Sequence, residues 1–376
     1  MASIIFADTT GRYDGRDLEL RAMGGTESSV IRLSRELVLR GHDVTVFTNC
    51  DAPVADHGVN FAPLGSVVPE SCDLYVAVQH PSLLGLVKRP RRRAIWVLWQ
   101  PNMLKHYKKI WRMWLYRPVP VLMSRYQVSI YSPMLPRRDP HIVIPLGLPE
   151  DVRTLPALEA MPGPNLIFAS NPQRNLTGIV QIFAERILPV RPDARLRIFG
   201  SMQMVDDPWT AWGGGVIPAG LQESVRNAIS FHPAAPRDEL IAAFRSSRAL
   251  IYLGHKVEAF CLTLAEAQAC GLPCVVAPVA VLPERIIDGE TGFVRADPQA
   301  FAEAALSLLN DDALWRRHHG AAIARQKGIG WPEAAARFET ALLADLVDTN
   351  SSWQAPRSRG RLIVYPATAR ERAGLL

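Results

Sequence analysis

Glu258 and Glu266 stand eight residues apart in the run Lys256-Val257-Glu258-Ala259-Phe260-Cys261-Leu262-Thr263-Leu264-Ala265-Glu266. The first carboxylate lies in a short apolar turn. The second lies about one turn into the helix that the Leu/Ala pattern predicts, and Gly271 and Pro273 stop that helix. Ionised carboxylates make strong hydrogen bonds to hydroxyl groups. A helix start between the two acids supplies N–H groups without intrahelical acceptors, which suit a phosphate. The spacing therefore fits a polyhydroxylated ligand that carries phosphate. The bland alternative is that glutamates early in a helix merely complement its dipole. Arg174, in Ser170-Asn171-Pro172-Gln173-Arg174, follows an expected strand and is the candidate phosphate cation, because a guanidinium fork matches phosphate oxygens. Its alternative is an exposed arginine at a helix start.

The elements that must position these groups are legible as alternating strands and helices. In the first half, strands are expected at Ser3–Ala7, Val44–Thr48, Leu74–Val78, Ile95–Leu98, Val119–Met123 and Ile142–Ile144. A helix from Thr26, its candidate N-cap, to about Arg40 puts Val30, Leu33, Leu37 and Val38 on one side, and Gly41 stops it. The proline-rich residues 150–164 read as a linker. The second half repeats the alternation, with strands at Leu166–Ala169, Leu196–Phe199, Ala249–Leu253, Val275–Ala277 and Gly292–Val294. Helices are expected over about Leu176–Leu188, 298–310 and 332–347, and Trp209–Gly215 reads as irregular. Strand–helix alternation in both halves predicts two Rossmann-like parallel-sheet α/β domains, 1–150 and 151–345, with a basic tail at 346–376 that either crosses back to the first domain or is loosely ordered. In such sheets ligands sit beyond the carboxyl ends of the strands, so a pair of them offers a cleft.

Length and composition agree. A chain of 376 residues is too long for one ordinary core. Its 48% hydrophobic and 21% charged content fit a soluble globular protein, and no apolar run reaches the ~20 residues that span a bilayer. The start Met1–Asp8 reads as a strand rather than a signal peptide. Five scattered cysteines argue against a disulfide framework and fit the cytoplasm, and the Cys270/Cys274 pair reads as small core residues. There is no Asp-x-Asp type cluster for a metal.

The acid–Phe–acid–small-residue-helix–Gly-Leu-Pro string resembles the E-x7-E segment of retaining glycosyltransferases of family 4, which have the GT-B fold. Gly24-Gly25-Thr26-Glu27 with Gly41–Phe47, Pro283-Glu284, Asp288–Val294 and Trp331-Pro332 resemble further segments of that family in order. The likeness covers most of residues 1–345, with poor support at about 50–95 and 201–230. It implies a retaining, metal-independent transferase that takes a sugar from a UDP- or GDP-sugar co-substrate, without a cofactor, to a saccharide or lipid-linked acceptor in polysaccharide or glycoconjugate synthesis. The resemblance makes the first domain the acceptor domain and the second the donor domain. On it, Glu258 orients the donor sugar and Arg174 neutralises the leaving diphosphate. Glu266 takes the ribose, and Phe260, Cys261, Leu262, Thr263, Lys256, Gly25, Thr26 and Gln100 contact the donor. Three departures stand out. One phosphate cation is present where the family has two. Gln100 falls where a histidine is usual, with His80 the other local candidate. Ala259 and Cys261 replace loop glycines.

The net charge of +6 comes from the first half, where residues 86–140 hold 13 Lys/Arg and one acid, Asp139. Lys105, Lys108, Lys109 and Arg112 alternate with Trp111, Met113, Trp114 and Leu115. Such a mixture over residues 86–117 suits an anionic membrane surface, at the inner face for a cytoplasmic protein, or an acceptor; the bland alternative is a half-buried helix with a solvated basic face. No nucleic-acid module is visible. The rival to an enzyme is a noncatalytic GT-B partner subunit that binds nucleotide or a partner protein. A dinucleotide-dependent dehydrogenase is disfavoured because the first loop lacks G-x-G-x-x-G spacing.

Overall fold

The computed structural model describes residues 1–21, 23–136, 141–200, 220–233, 235–328 and 330–344. The irregular stretch expected at Trp209–Gly215 and the tail from 346 lie outside them. The chain divides into two α/β units, Met1–Gly147 with Gly328–Leu376, and Leu148–Lys327.

In the first unit the strands are β1 (Ser3–Ala7), β2 (Asp43–Thr48), β3 (Val54–Asp56), β4 (Val59–Pro63), β5 (Ser71–Val78), β6 (Arg89–Trp96), β7 (Val119–Leu122) and β8 (Ile142–Val143). They form one sheet in the order β3-β4-β2-β1-β5-β6-β7-β8, parallel throughout except for the β3–β4 hairpin. That hairpin was not expected from the sequence. His57 and Gly58, both at positive φ (47° and 79°), make its two-residue turn, a job usually advertised by Asn-Gly. Helix α1 (Gly25–Leu39) buries Val30, Ile31, Leu33 and Leu37. Gly41, at φ +87°, closes it: Gly41 N–H donates to the Val38 carbonyl and His42 N–H to the Leu37 carbonyl. Its N-cap is Gly24, not Thr26, which lies inside the first turn. Helix α2 (Tyr107–Tyr116) packs Met113 into the core beside Leu84 and Leu104.

β6 begins earlier than its apolar residues suggest. Arg89, Arg91, Arg92 and Arg93 form its first half, and the protein uses them internally. Arg89 binds Glu70 at 2.6 Å, Arg91 binds Asp73 at 3.1 Å, Arg92 donates to the Leu342 carbonyl, and Arg93 lies 4.9 Å over the Tyr116 ring. The cationic stretch read from the sequence as one segment is therefore two features, and its upstream part is structural.

The second unit's sheet has the order β11-β10-β9-β12-β13-β14, formed by β9 (Asn165–Ala169), β10 (Arg195–Phe199), β11 (Ile229–His232), β12 (Ala249–Tyr252), β13 (Cys274–Val276) and β14 (Gly292–Val294), all parallel. Helix α3 (Leu176–Ile182) follows β9 and widens into a π turn over Phe183–Ile187, where Leu188 N–H reaches the Phe183 carbonyl. The longer helices that follow are α4 (Arg237–Arg245), α5 (Leu262–Ala269), α6 (Pro298–Asn310) and α7 (Asp312–Gln326). Asp297 and Asp311 cap α6 and α7 by accepting from Ala300 and Leu314 N–H. α7 was not expected as a separate helix, because two of its buried residues are histidines, His318 and His319. At the start of β14 Gly292 is obligatory: a Cβ there would overlap the Cys274 carbonyl.

The last helix, α8 (Trp331–Leu342), belongs to the first unit, so the expected domain end at 345 needs correction. The reason is aromatic packing. Phe338 lies 6.0 Å from Phe6 of β1 and 6.1 Å from Trp96 of β6, and Glu339 pairs with Arg40. Among the described residues no helix is long and apolar enough to cross a membrane.

Two outcomes follow. Phe338→Ala removes a fully buried ring and lowers stability by about 3–5 kcal/mol in urea unfolding; a change below 1 kcal/mol would show that α8 is not part of this core. Burial also lowers the pKa of His42, His318 and His319. His42 Nδ1 accepts from Ala2 N–H and His319 Nε2 from Leu158 N–H, roles that need neutral rings. The unfolded chain therefore binds these protons first, and stability falls as pH drops through about 6.5. Urea midpoints that stay flat from pH 7.5 to 5 would contradict this.

Candidate functional site

In the second sheet β9 lies between β10 and β12, so the chain leaves the sheet in opposite directions on the two sides of the β9–β12 pair. At such a switch point the loops after the two strands part and leave room beyond their carboxyl ends. The loop after β9 carries Ser170 to Arg174 and the loop after β12 carries Leu253 to Cys261. The two loops meet. Arg174 Nη1 donates to Glu258 Oε1 at 3.0 Å, and Tyr252 at the end of β12 donates its hydroxyl to the same oxygen at 2.5 Å. Ser170 Oγ lies 3.4 Å from the Tyr252 hydroxyl. Burial, reinforced by the nearby negative charge of Glu258, raises the Tyr252 pKa well above its usual value, which keeps the phenol a donor.

The backbone fixes these groups before the side chains do. Asn171 Oδ1 accepts from Gln173 N–H, Arg174 N–H returns to the Asn171 carbonyl, and Asn175 at φ +68° starts α3. Across the gap, Glu258 N–H donates to the His255 carbonyl. Phe260 is buried under the loop, with the Arg285 guanidinium 4.4 Å from its ring centre, so it anchors the loop and offers no open face to a ligand. Burial, with Arg325 nearby, lowers Arg285 to about 10. Cys261 takes φ +61°, the left-handed conformation that a glycine would hold without strain, and burial pushes its thiol pKa up. Leu262 and Thr263 then open α5, whose first-turn N–H groups have no intrahelical acceptor. At its far end Gly271 N–H donates to the Gln268 carbonyl and Leu272 N–H to the Ala267 carbonyl, the stop that Gly271 predicts.

Glu266 belongs to a neighbouring group. Arg237, the first residue of α4, donates from Nη1 to Glu266 at 2.7 Å and from Nε and Nη2 to Asp151 at 2.5 and 3.1 Å. Burial opposes the charge on Arg237, but the hydrogen bonds and charges of Asp151 and Glu266 outweigh it and raise its pKa. Lys256 is exposed beside the loop. Arg174 and Glu258 thus meet as expected, Glu266 stands apart with its own cation, and Tyr252, Arg237 and Asp151 are additions that sequence spacing did not reveal. A tyrosine ending a buried strand was the one available signal.

The first unit repeats the logic. β1 pairs with both β2 and β5. Beyond their ends, Gln79 Nε2 donates to Thr26 Oγ1 at 3.0 Å in the first turn of α1, beside Gly25. Gln79 is buried and strained at φ +57°, a hallmark of sites held in place by their surroundings, and it escaped notice in the sequence. His80 packs edge-on to Trp99 at 6.4 Å, and burial lowers its pKa. Gln100 is half-buried and stands at the residue before the Pro101–Lys105 turn, where its side chain makes no capping hydrogen bond. Among the described residues no group of three or more His, Cys, Asp or Glu is placed to hold a metal.

If the αL position is the constraint, Cys261→Gly keeps stability within about 1 kcal/mol, whereas Cys261→Val costs more than 1 kcal/mol, because a β-branched residue is poorly tolerated at positive φ. Equal midpoints for the two variants would contradict this.

Residues 171–326 match the family model described as Glycosyl transferases group 1. The chain is 31% identical over 176 residues to a D-inositol 3-phosphate glycosyltransferase of Streptomyces avermitilis, covering 42% of this chain and 38% of the relative. Among solved structures it is similar to a sucrose-phosphate synthase of Thermosynechococcus elongatus, with TM-score 0.68 and 15% identity over 91% of this chain and 98% of the other. It is also similar to HepE of Anabaena in complex with UDP-glucose, with TM-score 0.67 and 13% identity over 91% and 100%. The similarity to group 1 glycosyltransferases thus lies in residues 171–326, and the two parallel-sheet units have the α/β fold of the GT-B glycosyltransferases.

Proposed function

We propose that the protein is a retaining glycosyltransferase that moves a sugar from a nucleoside-diphosphate sugar to a hydroxyl of a saccharide or lipid-linked acceptor, without a metal ion. The observation that carries this reading is the meeting of Arg174, Glu258 and Tyr252 at the β9–β12 switch point, next to the open first turn of α5. The leaving diphosphate gains negative charge in the transition state, and preset cations and N–H dipoles stabilise that charge. Arg174 and the N–H groups of Leu262 and Thr263 supply them. Glu258, held in place by Tyr252, accepts from a hydroxyl of the donor sugar and orients the ring. Glu266 accepts from the ribose, with Arg237 holding it in position until the nucleotide arrives. UDP-glucose in the Anabaena neighbour favours a uridine donor over a guanosine one. The first unit, with Gly25, Thr26 and Gln79 at its own switch point, takes the acceptor side.

The test is turnover with a panel of UDP- and GDP-sugars, with the anomeric configuration of the product read by NMR. Arg174→Ala and Glu258→Ala each lower kcat/KM by roughly 10²–10³ while circular dichroism stays native. Chelator leaves the rate unchanged. Full turnover in both variants would remove the site assignment, and nucleotide binding without turnover for any sugar would favour a noncatalytic subunit.

A further inference from the structure

The outward face of α2 is apolar. Tyr107, Trp111, Trp114 and Leu115 recur at helical spacing on one side of the helix and are 72%, 50%, 49% and 62% exposed. The opposite side is the one that packs inward through Met113. A helix whose inner face is already buried has no folding reason to carry two more tryptophans outward, and contiguous exposed apolar surface marks an interaction site. Trp114 donates its indole N–H to the Met134 carbonyl, and Met134 is itself 62% exposed, so the patch extends beyond the helix.

The cations around this patch are placed differently from those of β6. Lys108 lies over Tyr107, Arg112 over Trp111 and Arg117 over Trp114, and Lys105 ends the turn that stands two residues before the helix. Among the described residues none of these four pairs with a carboxylate, whereas Arg89 and Arg91 do. From Lys88 to Arg125 the chain has eleven Lys/Arg and no Asp/Glu. A protein partner would need its own acidic rim around an apolar pocket. An anionic lipid bilayer offers both properties at once: headgroup charge for the cations, and an interfacial layer where tryptophan and tyrosine rings settle. We infer that α2 is a membrane-docking helix that lays its Tyr107–Trp111–Trp114–Leu115 face into the interface of an anionic bilayer, with Lys105, Lys108, Arg112 and Arg117 at the headgroups. The inference rests on the first unit alone and stands or falls apart from the proposed transferase chemistry.

The experiment is sedimentation of the full chain with vesicles of phosphatidylglycerol mixed with phosphatidylcholine, and with phosphatidylcholine alone. The protein pellets with the first, releases at high salt, and leaves the second in solution. The triple variant Lys105→Glu, Lys108→Glu, Arg112→Glu lowers partitioning about 100-fold. The double variant Trp111→Ser, Trp114→Ser lowers it about tenfold, and both variants melt as the parent does. Equal pelleting with neutral vesicles, or variants that pellet like the parent, would overturn the inference. So would a parent dimer in analytical ultracentrifugation that both variants dissolve, since a second copy would then cover the face.

Discussion

Parallel pairing of β9 with β12 is the constraint on which the second unit's chemistry rests. It places two strands from distant parts of the sequence side by side and sends their following loops apart. Residues 84 positions apart, Arg174 and Glu258, then share a hydrogen bond. Local preference alone would leave both in solvent. The sheet order converts them into a pair, and Tyr252 at the end of β12 fixes which carboxylate oxygen is held.

Two strained backbone positions lie where this pairing opens. Asn175 and Cys261, both non-glycine residues at positive φ, begin the two helices that flank the switch point. Each costs backbone energy that the buried strands behind it offset, a pattern common where a loop must present its backbone to a ligand. The Asp151–Arg237–Glu266 group adds a second fixed arrangement of charge within the same unit. Gln79 shows the same signature in the first unit, strained and tied to Thr26 at the β1–β5 switch.

Much of this was legible in the sequence because strands buried on both faces read as apolar runs, and because Gly41 and Gly271 end their helices as free glycines do. Arg174 and Glu258 were legible because they lie in loops that follow clear strands, and Glu266 because the Leu/Ala pattern marks the helix that carries it. What escaped was tertiary. Periodicity shows that α8 has an apolar face but not that Phe6 and Trp96 receive it. A count of positive charge over 86–140 does not separate arginines that serve β6 from those that surround α2. Tyr252 reads as a strand residue until its hydroxyl finds Glu258, and Arg237 as a helix start until Asp151 and Glu266 close on it. The β3–β4 turn was hidden because His57 occupies a position where asparagine would have announced it.

Hydrogen–deuterium exchange with and without a UDP-sugar tests the central claim most directly, because it reports on the two loops without requiring turnover. Ligand should slow exchange together in residues 171–176 and 255–265, the segments that the β9–β12 pairing brings together. Protection confined to other parts of the second unit, or protection of one loop without the other, would contradict a shared site at that switch point.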